Sequence, residues 1–67
     1  MENDYKVSLE AARVNAKLTQ EEARKAIGIS KVTLIKYEKG ITAPTIPTLK
    51  RMCEIYNVPL SRISICG

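Results

Sequence analysis

The tightest constraint on this chain lies between Thr19 and Lys39, where start and stop signals leave room for two short helices and almost nothing between them. Thr19-Gln20-Glu21-Glu22 has the T-x-x-E form of a capping box. The Thr19 hydroxyl can accept from the Glu22 amide while the Glu22 carboxylate reaches back to the Thr19 amide. Ala23, Ala26 and Ile27 follow at helical spacing and form the expected buried stripe. Gly28 stops the helix, because glycine enters the left-handed conformation without a Cβ penalty. Ser30 can cap a second helix two residues later. Two helices of under three turns joined by a tight glycine turn have the spacing of a helix-turn-helix, expected at about residues 20–39.

The second of these helices, Lys31 to Lys39, has two unlike faces. At 100° per residue, Leu34 and Tyr37 share one side with Glu38 at its margin. Val32, Ile35, Lys36 and Lys39 lie opposite, with Lys31 at the N-terminal edge. The net charge of the chain is +4, and the whole excess equals the surplus between Ser30 and Arg51, which holds five basic residues against the single acid Glu38. A local basic surface points to a polyanionic partner, whereas a merely solvated face would not need the flanking aliphatic residues.

The rest of the chain supplies two more helical segments. Ser8 can cap a segment to Ala16, with Leu9, Ala12 and Ala16 on one face. Thr45 can cap a fourth, with Pro47 tolerated in its first turn and Ile46, Leu49, Cys53 and Tyr56 inward beside Met52. Asn57 and Pro59 end it, and Val58 is expected to fold back on the core. The tail from Leu60 to Ile65 alternates weakly; it is expected to pack on the bundle or extend a dimer contact. No segment alternates convincingly as a strand. The 67 residues allow one domain, with its core at residues 8–60 and short tails on either side.

A core this small supplies only about 3–5 kcal/mol of net stability, so a staple would help. Zinc is not available: there are two cysteines, Cys53 and Cys66, and no histidine. Two unpaired thiols are the preferred reading over a bridge between them, and they favour a reducing, cytoplasmic setting. No apolar run approaches the ~18 residues of a membrane span, and the acidic start does not resemble a signal peptide. Three tyrosines offer few stacking platforms for single-stranded nucleic acid. Without histidine, a phosphate-binding glycine loop or paired carboxylates in a cleft, no catalytic constellation remains, and the chain reads as a non-enzyme with no cofactor and no small-molecule site.

From Leu9 to Val58 the sequence resembles the Cro/CI-type (XRE-like) helix-turn-helix regulators of bacteria and phages. The resemblance is carried by Leu18-Thr19-Gln20-Glu21-Glu22-Ala23, Gly28-Ile29-Ser30, Tyr37-Glu38-Lys39-Gly40 and Pro44, which occur together without a gap. It implies an all-α fold, a compact bundle of four to five short helices of the lambda-repressor-like type. It also implies that the helix after Ser30 is the recognition helix, with Lys31, Val32 and Lys36 at base edges. Arg13 and Glu38 match a structural salt bridge, and Thr19 and Gln20 match positions that grip phosphate. The chain departs from the pattern at three places: Arg24 stands where a small alanine packs between the helices, Lys17 where glycine ends the first helix, and Ile35 where a small polar residue is usual.

The physical case for duplex DNA stands beside this resemblance. A helix in the major groove must show donors or methyl groups outward and keep its other face apolar. Lys31 and Lys36 can donate to guanine or meet phosphates, and Val32 can contact a thymine methyl. Lys39 and Thr42 are placed for backbone contact, with Ser30 and Thr33 as further phosphate candidates at the start of the helix. The expected function is sequence-specific binding of double-stranded DNA by a transcriptional regulator, repressor-like, working as a homodimer whose protomers read half-sites ~34 Å apart. Two other readings keep the fold. One is a protein-interaction module, antirepressor or antitoxin component, that uses Val32 and Ile35. The other is the DNA-binding part of a larger recombination or restriction system.

Overall fold

The computed structural model describes residues 6–64. Four α-helices account for most of them: α1 (Leu9–Asn15), α2 (Gln20–Ile27), α3 (Lys31–Lys39) and α4 (Ile46–Tyr56). A 3-10 turn, Leu60–Arg62, follows α4. The fold is the all-α bundle expected, with one addition. Two short strands, β1 (Val7–Ser8) and β2 (Ile63–Ser64), pair in parallel, with Val7 opposite Ile63 and Ser8 opposite Ser64.

Each α-helix starts on a Ser or Thr whose side chain accepts from the amide three residues on: Ser8 from Ala11, Thr19 from Glu22, Ser30 from Thr33 and Thr45 from Thr48. The capping box at α2 is complete, with Glu22 N donating to Thr19 Oγ1 at 3.1 Å and Thr19 N to Glu22 Oε1 at 2.9 Å. Helices of seven to eleven residues are below the length at which a helix holds itself together, so these caps matter. Three helices end in a left-handed residue: Gly28 at φ 91°, Gly40 at φ 76° and Asn57 at φ 57°. A Cβ built on Gly28 would meet no atom within 4 Å, so the backbone dihedral, not space, calls for glycine there.

The core gathers Leu9 and Ala12 of α1, Ala23 and Ile27 of α2, Leu34 of α3, and Leu49, Met52, Cys53 and Tyr56 of α4. Leu34 and Met52 are fully enclosed. Val58 packs against this core, as expected. Two residues assigned inward by periodicity are exposed. Ala26 lies outward because α2 packs α3 and α4 along the stripe of Ala23 and Ile27, and Ala26 falls on its outer flank. Ile46 is 59% exposed, since it opens α4 and the buried face of that helix begins a turn later at Leu49. The core also reaches beyond residue 60. Ile63 is buried, and β2 brings the tail back beside the start of α1. A two-residue strand is too short for alternation to reveal, which is why the tail was legible only as weakly alternating. Cys66 and Ile65 lie outside the described residues; Cys53 is a buried free thiol whose pKa burial pushes up.

Between α1 and α2 the chain turns through Lys17, at φ 65°. A side chain in this left-handed region costs roughly 1–2 kcal/mol, part of which glycine returns as unfolded-state entropy. Lys17→Gly should therefore stabilise the fold by about 0.5–1 kcal/mol, raising the melting temperature by about 2–8 °C in a domain of this size. A thermal melt followed by circular dichroism checks this, and no rise would mean that the turn relaxes without the left-handed residue.

Candidate nucleic-acid interface

Glu38, on the last turn of α3, is where the helix-turn-helix is fastened to the rest of the bundle. Arg13 of α1 donates from Nε to Glu38 Oε2 at 2.7 Å and from Nη2 to Oε1 at 3.5 Å. Its Nη1 donates to the Leu18 carbonyl at 2.9 Å, tying the same guanidinium to the loop before α2. Gln20 of α2 donates from Nε2 to Glu38 Oε1 at 3.2 Å. The Arg13 and Glu38 side chains are 10% and 4% exposed, so the pair is desolvated and held by convergent donors.

Behind this cluster stands Tyr56. Its hydroxyl is buried and has no hydrogen-bond partner among the described residues. Burial, reinforced by the nearby Glu38 carboxylate and partly offset by Arg13, pushes its pKa up to about 12.

With its inner side anchored through Leu34 and Glu38, α3 turns its other side to solvent. Lys31, Lys36 and Lys39 are exposed, and Val32 is 63% exposed. Ile35 is half-buried, so less apolar surface is offered at that position than the sequence alone suggested. Ser30 Oγ donates to Thr33 Oγ1 at 2.8 Å while accepting from the Thr33 amide, which leaves the Thr33 hydroxyl hydrogen free for an outside acceptor. Thr19 uses its hydroxyl oxygen as a cap and likewise keeps its hydrogen. Thr42 is exposed in the loop after α3. Gln20 is the member of the expected phosphate set that does most inside the protein: one of its amide hydrogens is committed to Glu38.

Sequence reasoning did not place Gln20 in the Glu38 cluster, and no local signal could have, because the two residues meet only when α2 and α3 pack. Sequence reasoning did not pair Arg24 with Glu21 either, although a local signal was present. The pairing follows from i, i+3 spacing. Arg24 Nη2 donates to Glu21 Oε2 at 2.8 Å and Nε to Oε1 at 3.3 Å, while Lys25 approaches the same carboxylate at 3.6 Å. These contacts lower the Glu21 pKa and raise that of Arg24, in each case chiefly through their hydrogen bond.

A capped helix, a left-handed glycine, and a second helix showing cations and a methyl pair outward define a helix-turn-helix of the DNA-binding type. The family model described as Helix-turn-helix matches residues 9–63. The chain thus belongs to the Cro/CI-type (XRE-like) helix-turn-helix family of DNA-binding transcriptional regulators. It is similar to the cryptic phage CTXphi transcriptional repressor RstR of Vibrio cholerae, with 37% identity over 51 residues, 76% of this chain and 46% of that protein. The chain therefore spans a little under half the length of the curated relative it matches. No solved structure gives a significant match. Among the described residues no helix is long and apolar enough to cross a membrane, and no three potential metal ligands come together.

Glu38→Ala leaves Arg13 buried without its counter-charge, and should destabilise by about 3–5 kcal/mol, the usual cost of breaking a buried pair. Glu21→Ala, which removes a half-exposed pair, should cost under about 1 kcal/mol. Parallel melts compare them, and equal losses would mean that the Glu38 cluster adds no more to the fold than an exposed pair does.

Tyr56 makes a separate prediction about pH. Its ordinary pKa of 10.0 in the unfolded chain lies below the value of about 12 in the fold. Across that window the unfolded chain has lost a proton that the folded one keeps, so stability is intact below pH ~10 and falls as pH rises towards ~12. Tyr56→Phe should remove this part of the alkaline loss. It should not lower the melting temperature at neutral pH, because a buried hydroxyl without a partner costs about 1–3 kcal/mol. Denaturation at a series of alkaline pH values, run against wild type, measures both effects.

Proposed function

We propose that this chain binds a specific sequence in duplex DNA and regulates transcription by occupying it, with repression as the expected sense. The observation that carries the reading is the division of α3. One side is locked to α1 and α2 through Leu34 and the Glu38 cluster, and the other presents Lys31, Val32 and Lys36 to solvent. A helix held this way can enter the major groove without giving up its packing. Lys31 and Lys36 meet base edges or the phosphates beside them, and Val32 meets a thymine methyl. Thr19, Thr33, Lys39, Thr42, the N-terminus of α3 at Ser30, and the remaining amide hydrogen of Gln20 set the register on the backbone.

A nine-residue recognition helix is roughly 13 Å long, enough for only a few base pairs at ~3.4 Å each. Specificity over a genome then calls for two copies, one per half-site, about 34 Å apart. This supports a homodimer on DNA. The same reading makes the protein a binder rather than an enzyme, at work in the cytoplasm where bacterial DNA lies. The resemblance to a phage transcriptional repressor supports the regulatory role.

Selection from a pool of randomised duplexes at physiological salt tests this directly. An enriched motif with two-fold symmetry is the expected result. Binding without enrichment would leave only phosphate contact, and no retention would point to a protein partner instead. On the enriched duplex, Lys31→Ala with Lys36→Ala should weaken binding tenfold or more (~1.4 kcal/mol) at moderate salt. Unchanged affinity in a still-helical double variant would remove α3 from the interface.

A further inference from the structure

Arg24 is one of the three places where this chain departs from the pattern it resembles, standing where that pattern has a small residue between the two helices. It stands one turn beyond Gln20 on α2, and Gln20 is bonded to Glu38 of α3, so Arg24 lies towards the α3 side of its helix. Its side chain runs back towards the N-terminus of α2, since its partner Glu21 lies one turn earlier. That is the end of α2 where Thr19 and Gln20 are proposed to meet phosphate.

The geometry of the pair decides what remains available. Glu21 takes the Nε hydrogen at 3.3 Å and one Nη2 hydrogen at 2.8 Å, which is one edge of the guanidinium. A guanidinium has five donors, so three remain, and the outer Nη2 hydrogen with the adjoining Nη1 hydrogen forms its end-on edge. That edge is a fork matched to two oxygens of one phosphate. The side chain is 34% exposed, so part of it is in contact with solvent. Lys25 shares the Glu21 carboxylate at 3.6 Å, so the three groups together keep one net positive charge.

We propose that the free edge of Arg24 grips a phosphate of duplex DNA flanking the groove entered by α3. The inference rests on the DNA-binding reading above, and its test separates the two. A phosphate contact is sequence-independent, so a mixed-sequence duplex serves as the probe, titrated over a range of salt concentrations with wild type, Arg24→Ala, Arg24→Lys and Lys31→Ala/Lys36→Ala. Alanine is the better helix former, so Arg24→Ala should fold as wild type does, checked by circular dichroism. In Arg24→Ala the slope of log K against log salt should shrink by about 0.9, the loss of one phosphate contact, and affinity should fall about fivefold. Arg24→Lys should keep the slope, because the charge stays, while losing part of the affinity with the fork.

If Arg24→Ala leaves slope and affinity unchanged while the double lysine variant weakens binding, the Arg24 contact is overturned and the DNA reading stands. A change in melting temperature with no change in slope has the same meaning, since it leaves Arg24 a purely intrahelical role. If wild type does not bind the duplex at any salt, both fall together.

Discussion

Everything that α3 offers to solvent depends on how its last turn is held, and that is the work of one carboxylate. Glu38 receives Arg13 from α1 and Gln20 from α2, while Arg13 also clasps the Leu18 carbonyl between those two helices. A single acidic group thereby sets the relative position of three helices. Burying an ion pair is expensive, and it holds only where geometry is good and the remaining hydrogen bonds are met. Here the donors converge on both oxygens of Glu38, which is the condition for such a pair to hold a structure rather than strain it. In a core of few kilocalories, an anchor of this strength fixes orientation as much as it adds stability.

Around that anchor, the short helices are shaped chiefly by their ends. Ser or Thr starts each of the four, and left-handed residues end three of them. The bend through Gly28 is what makes α2 and α3 a helix-turn-helix rather than one longer helix: its amide still closes on the Arg24 carbonyl, and the chain then leaves the helical path. The parallel pairing of Val7–Ser8 with Ile63–Ser64 joins the two ends of the described chain and puts Ile63 over the core. Local chemistry makes the elements, and a few long-range contacts close them into one body.

The charge pattern belongs to the same design. The lysines of α3 stand on its exposed side with no acidic partner among the described residues, whereas the acidic residues of α2 are occupied: Glu22 by the Thr19 amide, and Glu21 by Arg24 and Lys25. The one carboxylate on α3, Glu38, is turned inward and neutralised by Arg13. What reaches solvent on α3 is therefore almost wholly cationic and aliphatic, a surface suited to a polyanion whose base edges include methyl groups.

Much of this was legible in order along the chain, because it is local. The capping box at Thr19, the stop at Gly28, the start at Ser30 and the Pro47-containing first turn of α4 follow from residues within four positions of one another, and the structure reproduces them within a residue. The pairing of Arg13 with Glu38 was available from resemblance alone, since residues 25 apart carry no local signal. Helical periodicity misplaced Ala26 and Ile46, because a repeat says which side of a helix is apolar but not where the neighbouring helix ends. The capture of Gln20 by Glu38, the unpartnered Tyr56 hydroxyl and the strand pairing of the tail were decided only by tertiary structure. Each depends on two segments meeting in space. By itself the sequence determined where the helices begin and stop, and which charges stand together on α3. Packing alone decided which of those side chains are spent within the protein and which remain free.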